Sequence, residues 1–193
     1  MARADTKHVP ALGYALLGLL YQNPASGYDL RKIFSSTSMK SYSDSPGAIY
    51  PALQRLEKRG LVKGTIEESN GLRRRQVFHL TARGTAELRK WITQPIAAED
   101  LTRGFEDIVL RFAFSEQTAG AAASLQLLKS LQEALKVHVA ALHKEYQASH
   151  KLMPTSGRLA FESGMRATEC LLDWTGYAIA TYEKETHKKG SAS

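Results

Sequence analysis

The residues best suited to chemistry lie in the segment SPGAIYPALQRLEKRGLV, residues 45 to 62. A helix at about 100° per residue puts its apolar residues on one side: Ile49, Ala52, Leu53 and Leu56. The other side, which we call the recognition face, carries Gly47, Tyr50, Pro51, Gln54, Arg55 and Lys58. Gly, Tyr and Pro lower helix propensity, so solvation alone does not explain them. Gln and Arg can read base edges, and a bare helix N-terminus attracts phosphate, so this face predicts nucleic-acid contact.

A second basic group follows in LVKGTIEESNGLRRRQVFHL, where two β-prone runs flank Ser69-Asn70-Gly71. Asn and Gly tolerate positive φ, so this pattern predicts a β-hairpin. Arg73, Arg74 and Arg75 come just after the turn, where three cations on a projecting ribbon can neutralise phosphates beside a groove. An arginine run alone is usually a solvated tip, but its place after a recognition helix favours DNA contact.

The charge is unevenly distributed between the two halves of the chain. Residues 1–95 hold 15 Lys and Arg against 7 Asp and Glu, or +8, whereas residues 96–193 hold 11 against 12, or −1. A localised basic excess is what a polyanion-binding module needs, although a merely soluble basic surface remains an alternative.

Several classes of protein and site are not indicated. No apolar run is long enough to span a bilayer, and MARADTKHVP is too polar for a signal peptide, so we expect a cytoplasmic protein without a membrane partner. The single Cys170 excludes an internal disulfide and a multi-cysteine zinc site, and its apolar surroundings predict a buried, inert thiol. No catalytic motif or metal-ligand pair occurs, so we predict no enzyme, cofactor or metal. A metal shared across a dimer by His143 and His150 stays open.

Start and stop signals divide the first half into four helices and a hairpin. Residues 10 to 22 are patterned as a buried helix, and Ser26 can cap a second one. Ser45 can cap a third helix, which should stop near Gly60, and Thr81 can cap a fourth after the hairpin. This order of elements is typical of a winged helix-turn-helix.

The second half is patterned as helices. Residues 105 to 114 predict a short helix, and Ser115 is expected to cap a longer one that ends near Lys151. Spacings of three and four form an apolar seam on this helix and another on the last helix. The seams can pack together within one chain or against a second copy, and the wide apolar arc that includes Leu171 favours a homodimer. The predicted dimerisation residues are Leu125, Leu128, Leu135, Val139, Leu142, Phe161, Met165, Leu172, Trp174 and Ile179.

The predicted fold is therefore mostly α with a small β-hairpin wing. A winged helix-turn-helix DNA-binding domain is expected over residues 1–95, and a helical dimerisation domain over residues 96–193.

Four parts of the sequence resemble the PadR-like transcriptional regulators: ALLGLLYQNPASGYDLRKIF (15 to 34), SPGAIYPALQRLEKRGLV (45 to 62), RRRQVFHLTARGTAEL (73 to 88) and Trp91. The resemblance continues through FEDIVLRFAF into the helical half, as in the longer-tailed branch of that family. Phe78 departs from the pattern, since many members have tyrosine there.

The resemblance implies a homodimer that binds double-stranded operator DNA and represses transcription until a small aromatic or amphipathic effector relieves it. The expected DNA-binding residues are Tyr28, Lys40, Ser45, Gly47, Tyr50, Pro51, Gln54, Arg55, Lys58, Arg73, Arg74 and Arg75. Candidate effector-pocket residues are Tyr14, Phe105, Phe112, Trp174 and Tyr177, although ordinary core packing also explains them. The alternative is a winged-helix protein-interaction module in a heteromeric assembly, without specific DNA binding.

Overall fold

The computed structural model describes residues 9–37, 39, 42, 45–69, 73–97, 100–101 and 105–190. The chain folds as two compact units, Met1–Trp91 and Ile92–Ser193. The domain limits predicted from sequence, 1–95 and 96–193, stay a prediction.

The N-terminal unit holds the predicted helices and hairpin. Its helices are α1 (Ala11–Gln22), α2 (Gly27–Ser36), α3 (Pro46–Lys58) and α4 (Ala82–Thr93), and its strands are β1 (Ala25–Ser26), β2 (Val62–Ser69) and β3 (Arg73–Leu80). The strands form an antiparallel sheet in the order β1-β3-β2. The predicted fold class, mostly helical with a small β wing, is confirmed. The two-residue β1 was not predicted, because it is defined only by its pairing with β3.

The helix signals in this unit were interpreted correctly. The Ser26 hydroxyl accepts a hydrogen bond from the Asp29 N–H, and Asp29 in turn accepts from the Ser26 N–H, which completes a capping box. Ser45 caps α3, and the Thr81 hydroxyl accepts from the Gly84 N–H at the start of α4. Gly60, with φ 68°, follows α3 in the left-handed region that glycine adopts without steric cost.

The core of this unit lies between α1, the sheet and the other helices. Residues 13 to 20 of α1 are all buried, so α1 is a central helix. Large side chains from α2, α3 and α4 pack around it, and the side chains with no exposed surface include Leu16, Leu17, Leu30, Phe34, Ile49, Leu53 and Leu88.

The described residues of the C-terminal unit from 105 onward form helices joined by short breaks at Gly120 and at Met153–Pro154. It contains α5 (Phe105–Ala119), α6 (Ala121–Ser149), a 3-10 turn (His150–Leu152) and α7 (Thr155–Gly190). The prediction that Ser115 caps the long helix was wrong. The break falls at Gly120, which has φ 88°, while the Ser115 hydroxyl donates to the Phe112 carbonyl inside α5 and is buried against Ser124.

Helices α6 and α7 pack against each other as an antiparallel pair within the chain. Lys129 pairs with Glu183 near one end, and the Tyr146 hydroxyl donates to Glu162 near the other. The core is centred on Leu127, Leu131, Leu135, Ile96 and Ile108, of which only Leu135 belongs to the predicted seam.

Residues of the predicted dimerisation set also take part in this intrachain packing. Leu128 and Leu135 are buried within the unit. The rest are half-buried: Leu125, Val139, Leu142, Phe161, Met165, Leu172, Trp174 and Ile179. The intrachain alternative therefore accounts for part of both seams, and the dimer remains a prediction.

The expectation of a buried thiol was wrong, because Cys170 is exposed on α7. Its apolar sequence neighbours turn toward the core, while Cys170 itself lies on the helix flank. Within the described ranges, no helix is long and apolar enough to cross a bilayer. In that same part of the chain, no three His, Cys, Asp or Glu residues lie close enough to hold a metal ion.

Candidate nucleic-acid interface

Helix α3 is divided into a buried and an exposed side as its sequence predicts. Ile49 and Leu53 are fully buried against the rest of the unit. On the recognition face Tyr50 is 45% exposed and Pro51 is half-buried. Its remaining members are all exposed: Gly47, Gln54, Arg55 and Lys58. The face is thus available to a partner along the whole length of α3.

The N-terminal turn of α3 has few side chains that would keep a ligand away from its backbone. Ser45 is exposed, and its hydroxyl accepts from the Gly47 N–H at 3.2 Å. Pro46 is the first residue of the helix, where its missing N–H costs nothing. Pro51 lies in the helix interior and cannot donate to the Gly47 carbonyl four residues earlier. Pro51 therefore removes one internal hydrogen bond of α3, and a bend at this turn is favoured.

Glu57 fastens the last turn of α3 to the first strand of the wing. Its Oε1 accepts from the Gly64 N–H at 2.8 Å, and a Cβ added to Gly64 would lie 2.9 Å from that oxygen. The acceptor therefore needs glycine at position 64 in order to reach the backbone. Sequence analysis missed both residues, since a Glu near a helix end looks like a solvated residue.

The wing places cations and anions opposite each other across two strands. Arg75 pairs in register with Glu67, and Arg74 with Glu68. Arg74 and Arg75 are exposed; Arg73 lies in β3, and its side chain is outside the described set. Opposite charges in facing positions stabilise a two-stranded ribbon modestly. The ribbon thus carries two described cationic side chains into solvent without being uniformly positive.

Arg75 also approaches the N-terminus of α2. Its Nη1 lies 3.7 Å from Oδ2 of Asp29, and both side chains are about half exposed. The Ser26 hydroxyl donates to the same Oδ2 at 2.7 Å. This hydrogen bond, the Ser26 N–H and the charge of Arg75 hold the pKa of the Asp29 carboxyl below its usual value, although partial burial opposes them. Asp29 therefore links the wing to α2.

The first turn of α2 completes this surface. Tyr28 is 65% exposed, whereas Gly27 beside it is buried beneath the ring of Tyr50. Lys40, the other predicted contact from this region, lies outside the described residues. The interface thus combines α3, β3 and the start of α2.

The predicted effector residues divide between the two units. Tyr14 belongs to the N-terminal unit, where its ring stacks on Trp91 at 4.1 Å and its hydroxyl donates to Glu87 at 3.1 Å. Phe112 meets Trp174 edge to face at 5.7 Å in the C-terminal unit, and Tyr177 is 71% exposed.

A groove in the C-terminal unit brings Phe105 and Trp174 together. It has a volume of about 590 Å³ and is lined by Leu101, Phe105, Val109, Leu135, His138, Ala167, Thr168, Cys170, Leu171 and Trp174. Among the described residues of this lining there is no Lys, Arg, Asp or Glu, and apolar side chains predominate.

The sequence of the N-terminal unit agrees with a known family over nearly its whole described length. Residues 16–90, from α1 through α4, match the model of the Transcriptional regulator PadR-like family. This segment is therefore PadR-like. The matched region contains the recognition face, the wing and the α2 start, so every element of the candidate interface lies inside the PadR-like segment.

The chain is also similar to individual transcriptional regulators. The chain is 32% identical over 87 residues to the negative transcriptional regulator PadR of Bacillus subtilis, covering 44% of this chain and 48% of the relative. It is 29% identical over 94 residues to the probable transcriptional regulator Rv1176c of Mycobacterium tuberculosis, covering 49% and 50%. The chain thus spans about half the length of the curated relatives it matches.

A solved structure is similar over most of both chains. Bacillus subtilis PadR in complex with operator DNA is 22% identical, covering 90% of this chain and 99% of that one, with a TM-score of 0.42.

Proposed function

We propose that this PadR-like regulator is a cytoplasmic, homodimeric repressor that binds operator DNA. Each N-terminal unit would place the recognition face of α3 in a major groove and the arginine wing beside it. The observation that carries the proposal is the exposed recognition face, with Gln54 and Arg55 on the same side as Tyr50. The family match over residues 16–90 supports regulation of transcription, and the similarity to a negative regulator of Bacillus subtilis supports repression.

The charges of the N-terminal half favour DNA over a protein partner. The excess of +8 lies in residues 1–95, and exposed cations occur on α3 and on β3. A protein-binding winged helix has no need of an arginine ribbon, whereas phosphates do attract one. The same family match sets aside an enzymatic role, because members of the PadR-like family are transcriptional regulators.

Binding to the DNA that flanks its own gene tests the proposal. In a gel shift at about 0.15 M salt, we expect a complex that resists random competitor DNA, since specific binding typically exceeds nonspecific binding by about 10³-fold or more. Complete competition by random DNA would contradict operator recognition. Half-sites about 10 bp apart, or a multiple of that, are expected for a two-fold dimer.

Gln54→Ala tests base readout on the recognition face. The loss of one bidentate base contact costs about 1–3 kcal/mol, so operator affinity should fall roughly 5- to 150-fold while random-DNA affinity stays unchanged. Gln147→Ala, the same substitution at an exposed position of α6, is the matched control. Equal losses on operator and random DNA would show that Gln54 does not read sequence.

Replacing Arg73, Arg74 and Arg75 together by Ala tests the wing. Each phosphate contact adds about 0.9 to the steepness of the negative slope of log K against log salt concentration, so the triple variant should have a shallower slope by up to about 3. A control with three exposed cations of the C-terminal unit changed to Ala, at Lys136, Lys144 and Lys151, removes the same net charge. A slope that changes equally in both variants would mean that the wing does not contact phosphate.

Unburied apolar surface in the C-terminal unit supports a homodimer. Helix α7 is 36 residues long, yet among its described side chains only Thr175 and Ala178 are buried, and Tyr177 is exposed. Val109 on α5 and Val137 on α6 are also exposed. A second copy would remove such surface from water.

Light scattering tests the dimer directly. A homodimer of the 21.3 kDa chain has twice that mass, 42.6 kDa. A 21.3 kDa particle that also fails to bind DNA would instead favour the alternative, a protein-interaction module in a heteromeric assembly.

The groove of the C-terminal unit is our candidate for the effector site. Its volume is typical of small-molecule pockets, and Phe105 and Trp174 offer aromatic faces to a small aromatic or amphipathic ligand. A compound at 100 times its Kd should stabilise the protein by about 2.7 kcal/mol in a thermal-shift screen. The shift should disappear in Trp174→Ala; a ligand that stabilises this variant equally binds elsewhere.

A further inference from the structure

The ring of Tyr50 lies directly over Gly27, the first residue of α2. A Cβ added to Gly27 would lie 2.5 Å from Cε1 and 2.9 Å from Cζ of that ring. Carbon atoms in favourable contact are about 3.5–4.0 Å apart, so even one methyl group does not fit beneath the ring in its present position. Position 27 therefore requires glycine for space. Its φ is not among the positive values found in the described residues, so conformational freedom is not the reason.

The backbone beneath the ring is held from both sides and cannot easily recede. Ser26 pairs with Val77 and Ala25 with Phe78, which ties this segment to β3. The capping box between Ser26 and Asp29 fixes the turn that follows. The Tyr50 ring is the movable partner, because it is 45% exposed and can rotate outward into solvent.

Tyr50 is one helical turn before Gln54 on the recognition face, so the place of its ring shapes the surface that meets DNA. We propose that Gly27 is a positioning residue for this interface: it lets the Tyr50 ring lie flat on α2, in the orientation that operator DNA requires. Gly27 would act without touching DNA itself. The inference rests on the proposed function, because it assigns Tyr50 a contact with the operator.

Gly27→Ala tests the inference with the smallest change of size. The variant should fold, since the clash involves the far end of an exposed side chain. Operator affinity should fall between about 5- and 100-fold, as expected for one displaced contact, while random-DNA affinity and the salt slope stay unchanged because no charge is altered. Gly164→Ala, at a helical glycine with open space around it, is the matched control and should bind as the wild type does.

A double-mutant cycle distinguishes action through Tyr50 from a general effect. If Gly27 acts through that ring, the Gly27→Ala/Tyr50→Ala double variant should bind operator no more weakly than Tyr50→Ala alone. It should also regain any thermal stability that Gly27→Ala loses, because the obstructing ring is gone. Losses that multiply in the double variant, or wild-type operator affinity for Gly27→Ala, would overturn the inference.

A measurement without DNA separates this inference from the proposed function. A fluorotyrosine placed at position 50 should change its ¹⁹F chemical shift in Gly27→Ala, because its ring leaves the surface of α2. An unchanged shift would overturn the positioning role even if operator binding is found. A shifted signal in a protein that binds no operator would contradict the proposed function and would show only that the Tyr50 ring packs on Gly27.

Discussion

Gly84→Ala should destabilise the winged unit strongly, because α4 begins in direct contact with the base of the wing. A Cβ at position 84 would lie 2.0 Å from the Leu61 carbonyl oxygen and 2.8 Å from Cδ1 of Leu80. Carbon–oxygen contacts are normally about 3.3 Å or longer, so α4 or the wing must move by more than about 1 Å. Both obstacles are held in place, and the closer one is backbone.

The Leu61 carbonyl cannot move away without breaking other bonds. It accepts from the Thr81 N–H at 3.1 Å, and the Thr81 hydroxyl, which also caps α4, shares its one proton between this carbonyl at 3.0 Å and that of Gly60 at 2.8 Å. Overpacking against backbone costs about 3 kcal/mol, and a weakened cap adds about 1 kcal/mol. The gain from replacing a helical glycine by alanine returns up to about 1 kcal/mol. We therefore expect a net loss of about 3 kcal/mol in the free energy of unfolding.

Thermal unfolding followed by circular dichroism measures this loss. At about 4–8 °C per kcal/mol for a unit of this size, the Tm should fall by roughly 12–24 °C. Gly164→Ala makes the same substitution where nothing lies within 4 Å, and it should stabilise α7 by about 0.5–1 kcal/mol. The reasoning is refuted if Gly84→Ala leaves the Tm within a few degrees of wild type while Gly164→Ala behaves as expected.

Asp29→Asn tests the pH dependence of the α2 cap, and Leu131→Ala tests the assigned centre of the C-terminal core. Asp29→Asn should cost roughly 0.5–1 kcal/mol at pH 7, a discounted value because the carboxylate is partly exposed. Because folding lowers the pKa of Asp29, the carboxylate stabilises the fold fully above its unfolded pKa of about 3.8, and this stabilisation is lost as the pH falls through the folded pKa. The difference in unfolding free energy between wild type and Asp29→Asn, measured by urea titration, should therefore shrink in acid. If wild type and Asp29→Asn differ equally in unfolding free energy at pH 7 and in strong acid, the carboxylate is not the source of the difference. Leu131→Ala should cost about 2–5 kcal/mol because Leu131 is buried in the C-terminal core, whereas Leu152→Ala, the same substitution at an exposed residue, should stay within about 0.5 kcal/mol; similar urea midpoints for the two would contradict the assigned core.

Local signals predicted the N-terminal unit well. The caps at Ser26, Ser45 and Thr81 each depend on residues two or three positions apart, and the stop at Gly60 depends on one residue. The two sides of α3 follow from helical periodicity alone. Such features can be derived from sequence because the interacting groups are neighbours along the chain.

Packing between elements could not be predicted in this way. Gly27 and Tyr50 are 23 positions apart, and Asp29 and Arg75 are 46 apart, so neither pairing leaves a periodic pattern. Gly27 in particular resembled an ordinary residue after a cap. Its role is steric and depends on how α2 and α3 pack against each other.

In the helical half, the start of α6 and its most buried positions could not be derived from sequence, for a different reason. Ser115 precedes an apolar run and so resembles a cap, but its hydroxyl is satisfied within α5. The heptad pattern also selected Leu125 over Leu131, although Leu131 is the more deeply buried. Apolar residues on two sides of α6 gave more than one acceptable seam, and only packing distinguishes between them.

The exposure of Cys170 makes this chain a natural single-label protein. One maleimide dye or nitroxide per chain can be attached without first removing other thiols, since the sequence has no second cysteine. In a two-fold dimer those labels give one distance between equivalent points of α7, which double electron–electron resonance can follow with and without operator. The thiol also lines the apolar groove beside Trp174, so a ligand that binds in that groove should slow the alkylation of Cys170.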